Sequence, residues 1–399
     1  MSWEQKRLDE LGIISRGRSK HRPRNDPSLF NGEYPFIQTA DVKNANFYIT
    51  QYSQSYNDKG LSQSKLWKKG TLCITIAANI ADSGILGIDA CFPDSIMGFV
   101  PYEDKSDVRY VKYCFDILQK ECQQISQGAT QDNLSWEKLS TIKFPVPSLE
   151  TQKRIADILS AYDDLIENNQ KQIKLLEESA QRLYKEWFVD LRFPGHENTP
   201  IIDGITQGWK VIEIGTAFKT LLGGTPSREK AEYWENGTVP WINSGKVNEL
   251  RVVEPSEYIT DIALNRSATK LLPKHTTLVA ITGATLGQVS YTEIETCANQ
   301  SVVGIVDESQ QYSEYVYCYV LNNIKNIIGK ATGGAQQHIN KDIVNSYPII
   351  LPNDDIAVKF QSVAKPIFDK INKLLFENIN LTEARDRLLP KLMSGELEV

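Results

Sequence analysis

The sequence predicts an α+β protein that contains two copies of one mixed α/β domain, separated by two long antiparallel coiled-coil helices with pseudo-two-fold symmetry. Two observations predict this fold. The chain of 399 residues repeats once with an offset of 205 or 206, and each copy passes from short β-type runs into a long stripe of helical periodicity. The predicted boundaries are a first domain at 1–148, a central spacer helix at 149–193, a second domain at 194–352 and a C-terminal spacer helix at 353–399.

The repeat is clearest at an Asn-Gly turn that leads into a Pro-aromatic-Ile strand. Residues 31–37 read NGEYPFI and residues 236–242 read NGTVPWI, with four identities in seven positions. An Asn-Gly pair followed by a β-rich run is typical of a turn that feeds a strand. Further matches keep the same order: 71–76 with 277–282, 128–131 with 334–337, and Pro147 with Pro352. The agreement in order and offset predicts that the two halves share one fold.

Each half ends in a stretch whose apolar residues recur at spacings of three and four, which is the period of an amphipathic helix. The predicted packing positions are Ile155, Ile158, Tyr162, Ile166, Asn169, Ile173, Leu176 and Leu183 in the first helix, and Ile371, Leu374, Asn378 and Leu381 in the second. Asn169 and Asn378 interrupt these stripes, and they either fix the pairing register inside the seam or lie at its edge in water. Pro366 predicts that the second helix begins or kinks at that residue.

The length of the first helical stretch indicates a spacer. If residues 151–189 form one continuous helix, it is roughly 58 Å long at ~1.5 Å per residue, which is more than a compact domain needs. The segment 192–200 contains Pro194, Gly195 and Pro200 and is predicted to end this helix. Two such helices, paired with each other, are expected to hold the two α/β domains apart.

Composition excludes several classes of protein. The N-terminus has no apolar run of the signal-peptide type, and nowhere do ~18 apolar residues follow one another, so we expect a cytoplasmic protein that contacts no membrane. The six cysteines form no C-x-x-C pair and the four histidines lack ligand spacing, which favours thiols over zinc sites or disulfides. The net charge is −6, but residues 1–148 hold 18 basic and 17 acidic side chains. Any binding of nucleic acid must therefore use local basic patches.

The start of the first helical stretch carries a specific motif. Residues 147–159 read PSLETQKRIADIL, which is the pattern P-x-L-x-x-Q-x-R-I-A-x-x-L, and the stretch ends at Trp187-Phe188. This segment resembles the central spacer helix of the specificity subunits of Type I restriction-modification systems. The resemblance extends over the whole chain, because that family also has two target-recognition domains that are each followed by such a helix.

The resemblance implies a non-catalytic DNA-binding subunit of a system for DNA methylation and defence against phage. Each domain would read one half of an interrupted, asymmetric site in double-stranded DNA. Two methyltransferase subunits and a restriction and translocation subunit would assemble on the chain. No cofactor is expected in this chain itself, because S-adenosylmethionine would belong to the methyltransferases, and ATP and Mg²⁺ to the restriction subunit. The second helix departs from the motif, since residues 352–360 (PNDDIAVKF) lack the Gln-Lys-Arg-Ile core.

Candidate phosphate contacts lie in one loop of each half. The first loop is densely basic, with no acidic residue before Asp26, and its candidates are Arg16, Arg18, Lys20, Arg22 and Arg24. Such donors suit phosphate contacts, with one Arg bidentate to guanine; the alternative is a solvated basic loop. The corresponding loop of the second half offers Lys219, Thr225, Ser227 and Arg228. Its glycines allow the backbone to approach a phosphate, but an ordinary turn has the same composition.

Candidate base contacts follow the predicted strands at matched places in both halves. Amide, hydroxyl and amine groups of this kind can read the edges of bases. The candidates are Gln38, Thr39, Lys43, Asn79, Gln131 and Asn133 in the first half, and Asn243, Ser244, Lys246, Thr282, Thr285, Gln336, Gln337 and His338 in the second. Each of these residues taken singly also suits a structural role. As a matched set they predict the face that meets DNA.

Two other functions remain open at this point. Pro93-Asp94 followed by Glu103-Asp104-Lys105 fits the degenerate PD-(D/E)xK pattern of Mg²⁺-dependent nucleases, although the second half has no counterpart. A stand-alone DNA-binding regulator is the other alternative, but it rarely needs two long paired spacers. The chain has no N-P-P-[FYW] or D-P-P-Y stretch and no Walker motif, so we expect neither amino-methyl transfer nor ATP hydrolysis here. The predicted mechanism is differential binding, with the two domains about one helical turn, ~34 Å, apart on DNA.

Overall fold

The computed structural model describes residues 3–76, 82–125, 136–330 and 338–399, apart from the side chains of 120–125 and 136–138. The chain forms two compact units. The first unit comprises Met1–Asn168 and Asn378–Val399, and the second comprises Asn169–Glu377. The first unit is therefore completed by the C-terminal end of the chain.

The first unit is built around a five-stranded sheet in the order β2-β8-β6-β7-β4, while β1 pairs with β9 and β3 with β5. Helix α4 covers this sheet, because Tyr110, Val111 and Phe115 share one buried cluster with Leu72 and Phe99. The strands are β1 (Glu4–Arg7), β2 (Gly12–Arg16), β3 (Phe30–Phe36), β4 (Tyr48–Ile49), β5 (Gln54–Tyr56), β6 (Leu72–Thr75), β7 (Ser83–Leu86), β8 (Ile96–Pro101) and β9 (Lys143–Val146). The helices are α1 (Leu8–Leu11), α2 (Thr39–Asn44), α3 (Asp58–Ser62), α4 (Val108–Ile125) and α5 (Trp136–Thr141).

The first long helix, α6, spans Leu149–Tyr184 and continues as one π-helical turn at Lys185–Val189. Its motif divides into a buried and an exposed half. Gln152, Ile155 and Leu159 are buried, and the Gln152 amide donates to the carbonyls of Lys105 and Pro147 at 3.1 Å each. The motif glutamine thus fixes the start of the helix to the first unit, because a buried amide must find hydrogen-bond partners.

The second unit repeats the main sheet, with a five-stranded order β13-β21-β18-β19-β15, and adds a four-stranded sheet β16-β14-β20-β17 and the pairs β12-β22 and β10-β11. The strands up to β16 are β10 (Ile201–Ile202), β11 (Ile205–Thr206), β12 (Lys210–Glu213), β13 (Lys219–Leu222), β14 (Val239–Ile242), β15 (Arg251–Val252) and β16 (Glu257–Ile259). They are followed by β17 (Leu271–Leu272), β18 (Thr277–Ala280), β19 (Val289–Thr292), β20 (Thr296–Ala298), β21 (Val302–Val306) and β22 (Pro348–Leu351). The shorter helices are α7 (Ile214–Ala217), α8 (Asp261–Arg266), α9 (Ser313–Ile328) and α10 (Lys341–Asn345).

The repeat is visible in the backbone hydrogen bonds as well as in the sheet order. In each unit the two residues that follow the first strand of the main sheet donate their N–H groups to two equivalent carbonyls, one at the start of a strand and one shortly before it. The residue that follows another strand donates to a third carbonyl, between those two. The matched donor and acceptor pairs are Gly17 to Ile96 with Gly223 to Val302, Arg18 to Phe92 with Gly224 to Ala298, and Ile76 to Ser95 with Ile281 to Ser301. These pairs keep the offset of 205 or 206, and the predicted fold of two repeated α/β domains with long helices is confirmed.

The second long helix, α11, spans Asp354–Ser394 without interruption. Of the two alternatives predicted for Pro366, a helix start there is wrong, and a kink there stays a prediction. The Asn353 side chain accepts the N–H of Ile356 at 3.0 Å and caps the helix twelve residues earlier. Proline removes one intrahelical hydrogen bond, and the burial of Ala364 and Phe368 on either side of it holds the helix together there.

In the first unit, the beginning of α6 packs antiparallel against the end of α11. Ile155 and Leu159 share a buried cluster with Leu389 and Leu392. One turn further along α6, the buried Asp163 carboxylate accepts hydrogen bonds from Arg385 and, at 2.5 Å, from the Tyr113 hydroxyl. Burial raises the pKa of Asp163, although the Arg385 charge opposes this shift. The helix pair is thus fixed both by apolar packing and by one buried ion pair.

In the second unit, the end of α6 packs against the beginning of α11. The buried positions include Ala180, Tyr184, Phe360, Ala364 and Phe368. Of the predicted packing positions in this unit, Asn169, Ile371 and Leu374 are buried, whereas Ile173, Leu176 and Leu183 are half-buried. In the first unit, Ile155 and Ile166 are buried, Tyr162, Asn378 and Leu381 are half-buried, and Ile158 is exposed. Asn169 is therefore shielded from water, and its role in fixing the pairing register stays a prediction.

A buried charge cluster joins the main sheet of the second unit to α6. The Arg251 guanidinium, 2% exposed, donates from Nε to Glu177 at 2.6 Å and from Nη1 to Glu293 at 3.3 Å. It also lies 4.0 Å from the ring centre of Phe368 and 4.8 Å from that of Tyr291, where cation–π attraction is strongest in a dry environment. One cation thus compensates two buried carboxylates.

The second carboxylate of this cluster is expected to make stability depend on pH. Burial raises the pKa of Glu293 to about 7, against the lowering effect of Arg251, and Glu177, Glu314 and Asp369 add to the rise. The folded state therefore holds this proton more firmly than the unfolded state, whose pKa is near 4.5. The stabilisation that comes from this more firmly held proton is full below about pH 4.5. It is lost as the pH rises toward about 7, by about 3 kcal/mol at most.

This expectation is tested with Glu293→Gln, in which no proton can be lost. The free energy of unfolding of the wild-type chain minus that of Glu293→Gln should fall between pH 5 and 7. Glu295→Gln, at an exposed position two residues away, serves as the control and should leave the pH dependence unchanged. A difference that stays constant with pH would show that Glu293 is ionised throughout.

Within the described residues, no helix combines the length and the apolar character that crossing a membrane requires.

Candidate nucleic-acid interface

Several loops meet at one end of the main sheet in the first unit. Strand β2 ends at Arg16, β6 ends at Thr75 and β8 begins at Ile96, and these ends are neighbours in the antiparallel sheet. We call residues 17–26, 37–38 and 92–95 the first tip. Backbone hydrogen bonds hold the first tip in place. The Arg18 N–H donates to the Phe92 carbonyl at 3.0 Å, and the Ile37 N–H donates to the Cys91 carbonyl at 2.8 Å.

The basic loop of the first tip has a fixed backbone. The Ser64 hydroxyl donates to the Arg18 carbonyl at 2.7 Å, and the Gln63 side chain accepts the His21 N–H at 2.9 Å. The Asp26 carboxylate accepts from the Ser28 N–H and lies 2.7 Å from the His21 ring. These hydrogen bonds, chiefly that from Ser28, lower the pKa of Asp26 to about 2. A loop held in this way presents its side chains at little further cost in entropy.

The predicted cations of this loop are all exposed. Among the described residues, Arg16, Arg18 and Lys20 form no ion pair with a carboxylate, and Arg22 donates only to the carbonyls of two neighbouring residues. Arg24 differs, because its Nη2 contacts both oxygens of Asp94 at 2.6 and 2.8 Å. The first tip thus carries a local excess of positive charge, which is what phosphate contacts need.

The candidate base readers of the first unit have mixed roles. Gln38 follows Ile37 into the tip, but its N–H donates to Asp41 and its side chain donates to Gln54 at 2.9 Å. It therefore caps helix α2, which includes Thr39 and ends close to the exposed Lys43. Asn79, Gln131 and Asn133 lie outside the described residues.

The second unit places equivalent loops at the same end of its main sheet. We call residues 223–228, 242–246, 282–285 and 298–301 the second tip. Gly223 donates to Val302 at 3.0 Å, and Asn299 donates to Ile242 at 3.0 Å. A Cβ atom on Gly223 would lie 2.1 Å from the Asn299 carbonyl oxygen, so only glycine permits this close approach.

Polar side chains of the second tip bond to one another. Thr225 donates its hydroxyl to the Gln300 amide oxygen at 2.6 Å, and Thr282 donates to Ser301 at 2.7 Å. Asn243 caps a short 3-10 helix by accepting the N–H of Gly245. The remaining candidates lie as follows: Ser244 is in that 3-10 helix, Thr285 bonds back to the Thr282 carbonyl, and exposed His338 precedes Ile339, which donates to Ile281. Gln336 and Gln337 lie outside the described residues.

The three candidate cations of the second unit are each paired with an acid. Arg228 contacts both oxygens of Glu257 at 2.6 and 2.7 Å and stacks 3.5 Å from the ring centre of Trp234. Lys246 pairs with a glutamate three residues on at 2.8 Å. Lys219 pairs with Glu308 at the far end of β13, so the structure does not bring it to the tip. Ser227 is exposed beside Arg228. The two tips therefore share a framework but differ in free charge.

Sequence reasoning missed two parts of these tips. Residues 299–301 were not candidates, and Asp94 was considered only as a metal ligand, yet both lie at the centre of their tips. The repeat itself carries the missing signal, since an offset of 206 places Asp94 at Gln300. Because the repeat matches residues on both sides of Asp94 and of Gln300, it predicts that these two positions are equivalent.

The nuclease alternative fails on geometry. The Asp94 carboxylate is occupied by Arg24, and Glu103 lies beyond the opposite end of β8, a strand of six residues. Such a strand spans about 20 Å at ~3.3 Å per residue, too far for two ligands of one Mg²⁺ ion. The residues that the structure describes contain no cluster of metal-ligating side chains.

The family comparison identifies both halves of the chain. The model of the Type I restriction modification DNA specificity domain matches twice, at residues 1–178 and 206–384. The chain belongs to this family. The family places the recognition of DNA sequence in this chain, and catalysis is done by other subunits.

Curated relatives cover nearly the full chain. The MjaIX specificity subunit of Methanocaldococcus jannaschii is 29% identical, with 100% of this chain and 94% of the relative aligned. The HindI specificity subunit of Haemophilus influenzae is 24% identical, with 97% and 98% aligned. A crystal structure of the S subunit from M. genitalium covers 98% of this chain and 96% of its own, with a TM-score of 0.58 and 17% identity. It shows that the fold of the specificity family extends over the chain.

Proposed function

We propose that the two tips read the two halves of one interrupted, asymmetric site in double-stranded DNA. The observation that carries this proposal is that one backbone framework presents different side chains in the two units. The first tip presents Arg18 and Arg22, whereas the second presents Thr225 and Gln300. Two copies of one scaffold with unlike tips suit two unlike half-sites, because base edges are distinguished by the donors and acceptors that meet them.

We further propose that the exposed faces of the long helices receive two methyltransferase subunits and a restriction subunit. On α6, Ile158, Leu165 and Leu175 are 38%, 49% and 63% exposed, and on α11 Val358 is 54% exposed. Apolar side chains that recur along the solvent face of a helix support a protein partner. S-adenosylmethionine, ATP and Mg²⁺ would be bound by those partners.

The experiment is to co-express the chain with its methyltransferase and to map methylated adenines in the host DNA. One two-part motif is expected, and exchange of residues 1–148 for those of a relative should change only its first half. Tight, sequence-specific DNA binding by the chain alone, with no methyl mark when the methyltransferase is present, would instead identify a stand-alone regulator.

The phosphate contacts of the first tip are tested by the double variant Arg18→Ala, Arg22→Ala. DNA binding by the methyltransferase complex should weaken, and the slope of log affinity against log salt should become shallower by about 2, since each lost phosphate contact removes about 0.9. The control is Lys68→Ala, Lys69→Ala, because these residues precede β6 at the other end of the sheet. Equal slopes for all three proteins would remove the basic loop from the interface.

A further inference from the structure

Asp94 and Gln300 occupy equivalent points on the two tips. Asp94 lies between Phe92, whose carbonyl accepts the Arg18 N–H, and Ser95, whose carbonyl accepts the Ile76 N–H. Gln300 lies in the same way between Ala298 and Ser301, whose carbonyls accept the N–H groups of Gly224 and Ile281. Each side chain also bonds to that preceding loop, Asp94 to Arg24 and Gln300 to Thr225. The two residues therefore share a position and a bond to the preceding loop, but one is a carboxylate and the other a carboxamide.

The bond from Thr225 fixes the Gln300 carboxamide without using it up. The amide oxygen accepts the threonine hydroxyl at 2.6 Å, and Gln300 is exposed. Within the described residues no hydrogen bond uses its NH₂ group, and its oxygen keeps one lone pair. A carboxamide that donates and accepts side by side matches the N7 and N6 edge of adenine.

The ion pair of the first tip leaves a different set of donors. One Arg24 nitrogen, Nη2, takes both Asp94 oxygens at 2.6 and 2.8 Å. The Nε and Nη1 donors remain on different edges of the group, so one of them can donate a single hydrogen bond to the O6 or N7 acceptor of guanine. The Asp94 carboxylate keeps lone pairs that accept from the N4 amine of cytosine.

Stability alone does not account for these tethers. The Arg24 and Asp94 side chains are 48% and 40% exposed, and an ion pair in water contributes little to folding. The tips are already held by backbone bonds from Gly17 and Gly223. These side chains are thus not required to hold the tips, and they remain exposed at the tip surface.

We propose that this position is the base reader of each tip. Gln300, oriented by Thr225, reads an A·T pair in the second half-site, and Arg24 with Asp94 reads a G·C pair in the first. This inference rests on the proposed function, in which each tip meets one half-site.

The test maps the methylated motif for Gln300 variants in the methyltransferase complex. Gln300→Ala should relax one A·T position of the second half-site by about 10- to 100-fold in discrimination and leave the first half unchanged. Gln300→Glu keeps the size but loses the donors, so preference at the same position should shift toward cytosine, whose N4 amine a carboxylate accepts. Arg24→Ala should relax one G·C position of the first half only.

Matched controls lie at the far ends of the same sheets. Gln311→Ala removes an exposed glutamine beyond the other end of β21, and Lys68→Ala breaks an exposed ion pair with Asp89 beside β6. Neither should alter the motif. If the wild-type complex marks a two-part motif and both Gln300 variants, with unchanged melting temperature, mark the same one, the reader assignment is wrong while the proposed function stands. If the wild-type complex marks no two-part motif, both are wrong.

Discussion

Replacement of Arg251 by methionine is expected to destabilise the second unit by about 3–5 kcal/mol, because it leaves the Glu177 and Glu293 carboxylates buried without a cation. The exposed Arg228·Glu257 pair gives the matched control, and Arg228→Met should cost less than about 1 kcal/mol. Hydrogen exchange of amides in β15 and β19 would measure the loss within this unit.

A triple variant separates charge from packing in that result. Arg251→Met combined with Glu177→Gln and Glu293→Gln removes the uncompensated charges and keeps the side chains close in volume. Most of the lost stability should return, since neutral replacements of a buried ionic cluster are often tolerated. A triple variant as unstable as Arg251→Met alone would assign the effect to lost packing against Phe368 and Tyr291.

Replacement of Phe360 by alanine is expected to cost about 3–5 kcal/mol, because its ring is fully buried and a large cavity would remain. The ring lies 5.0 Å from that of Phe188 and 5.8 Å from that of Trp187, so the loss should be greatest where α6 ends. Val358→Ala, two residues away and exposed, should change the free energy of unfolding by no more than about 0.5 kcal/mol. Urea unfolding followed by tryptophan fluorescence measures both variants, and similar midpoints would contradict the packing described here.

The repeat and the helices were predictable because both leave signals along the sequence. The match of residues 31–37 with 236–242, with four identities in seven positions, required no knowledge of packing. A stripe of spacing three and four over 39 residues is typical of a long helix. The start of α11 was not predictable from Pro366. The side chain of Asn353 decides that start, and the cost of an internal proline is balanced by contacts that periodicity does not reveal.

Periodicity also could not choose between the two apolar faces of α6. Ile158 fits the same stripe as Ile155, yet only Ile155 is buried, because a helix with an exposed apolar face has the same spacing as one with a wide buried face. The buried polar residues Asp163 and Glu177 were not predicted either. Their partners, Arg385 and Arg251, lie 222 and 74 residues away, and distant partners leave no local pattern.

The candidate interface divides in the same way. The basic loop could be proposed from the sequence because its cations lie close together in the chain, and local charge density is a direct signal. Gln300 was missed because its meaning depends on Thr225, which lies 75 residues earlier. Asp94 was considered only within the nuclease alternative, because its partner Arg24 is 70 residues earlier and leaves no local pattern.

The tips are held in place by main-chain atoms, through Gly17 and Gly223 and the carbonyls they contact. Main-chain hydrogen bonds do not depend on which side chains the neighbouring residues carry. Mutations at positions such as Arg24 or Gln300 can therefore alter what is recognised while the cost of folding stays nearly constant. A lineage that carries this chain can thus explore new recognition sequences by single substitutions, one half-site at a time, without first acquiring spare stability.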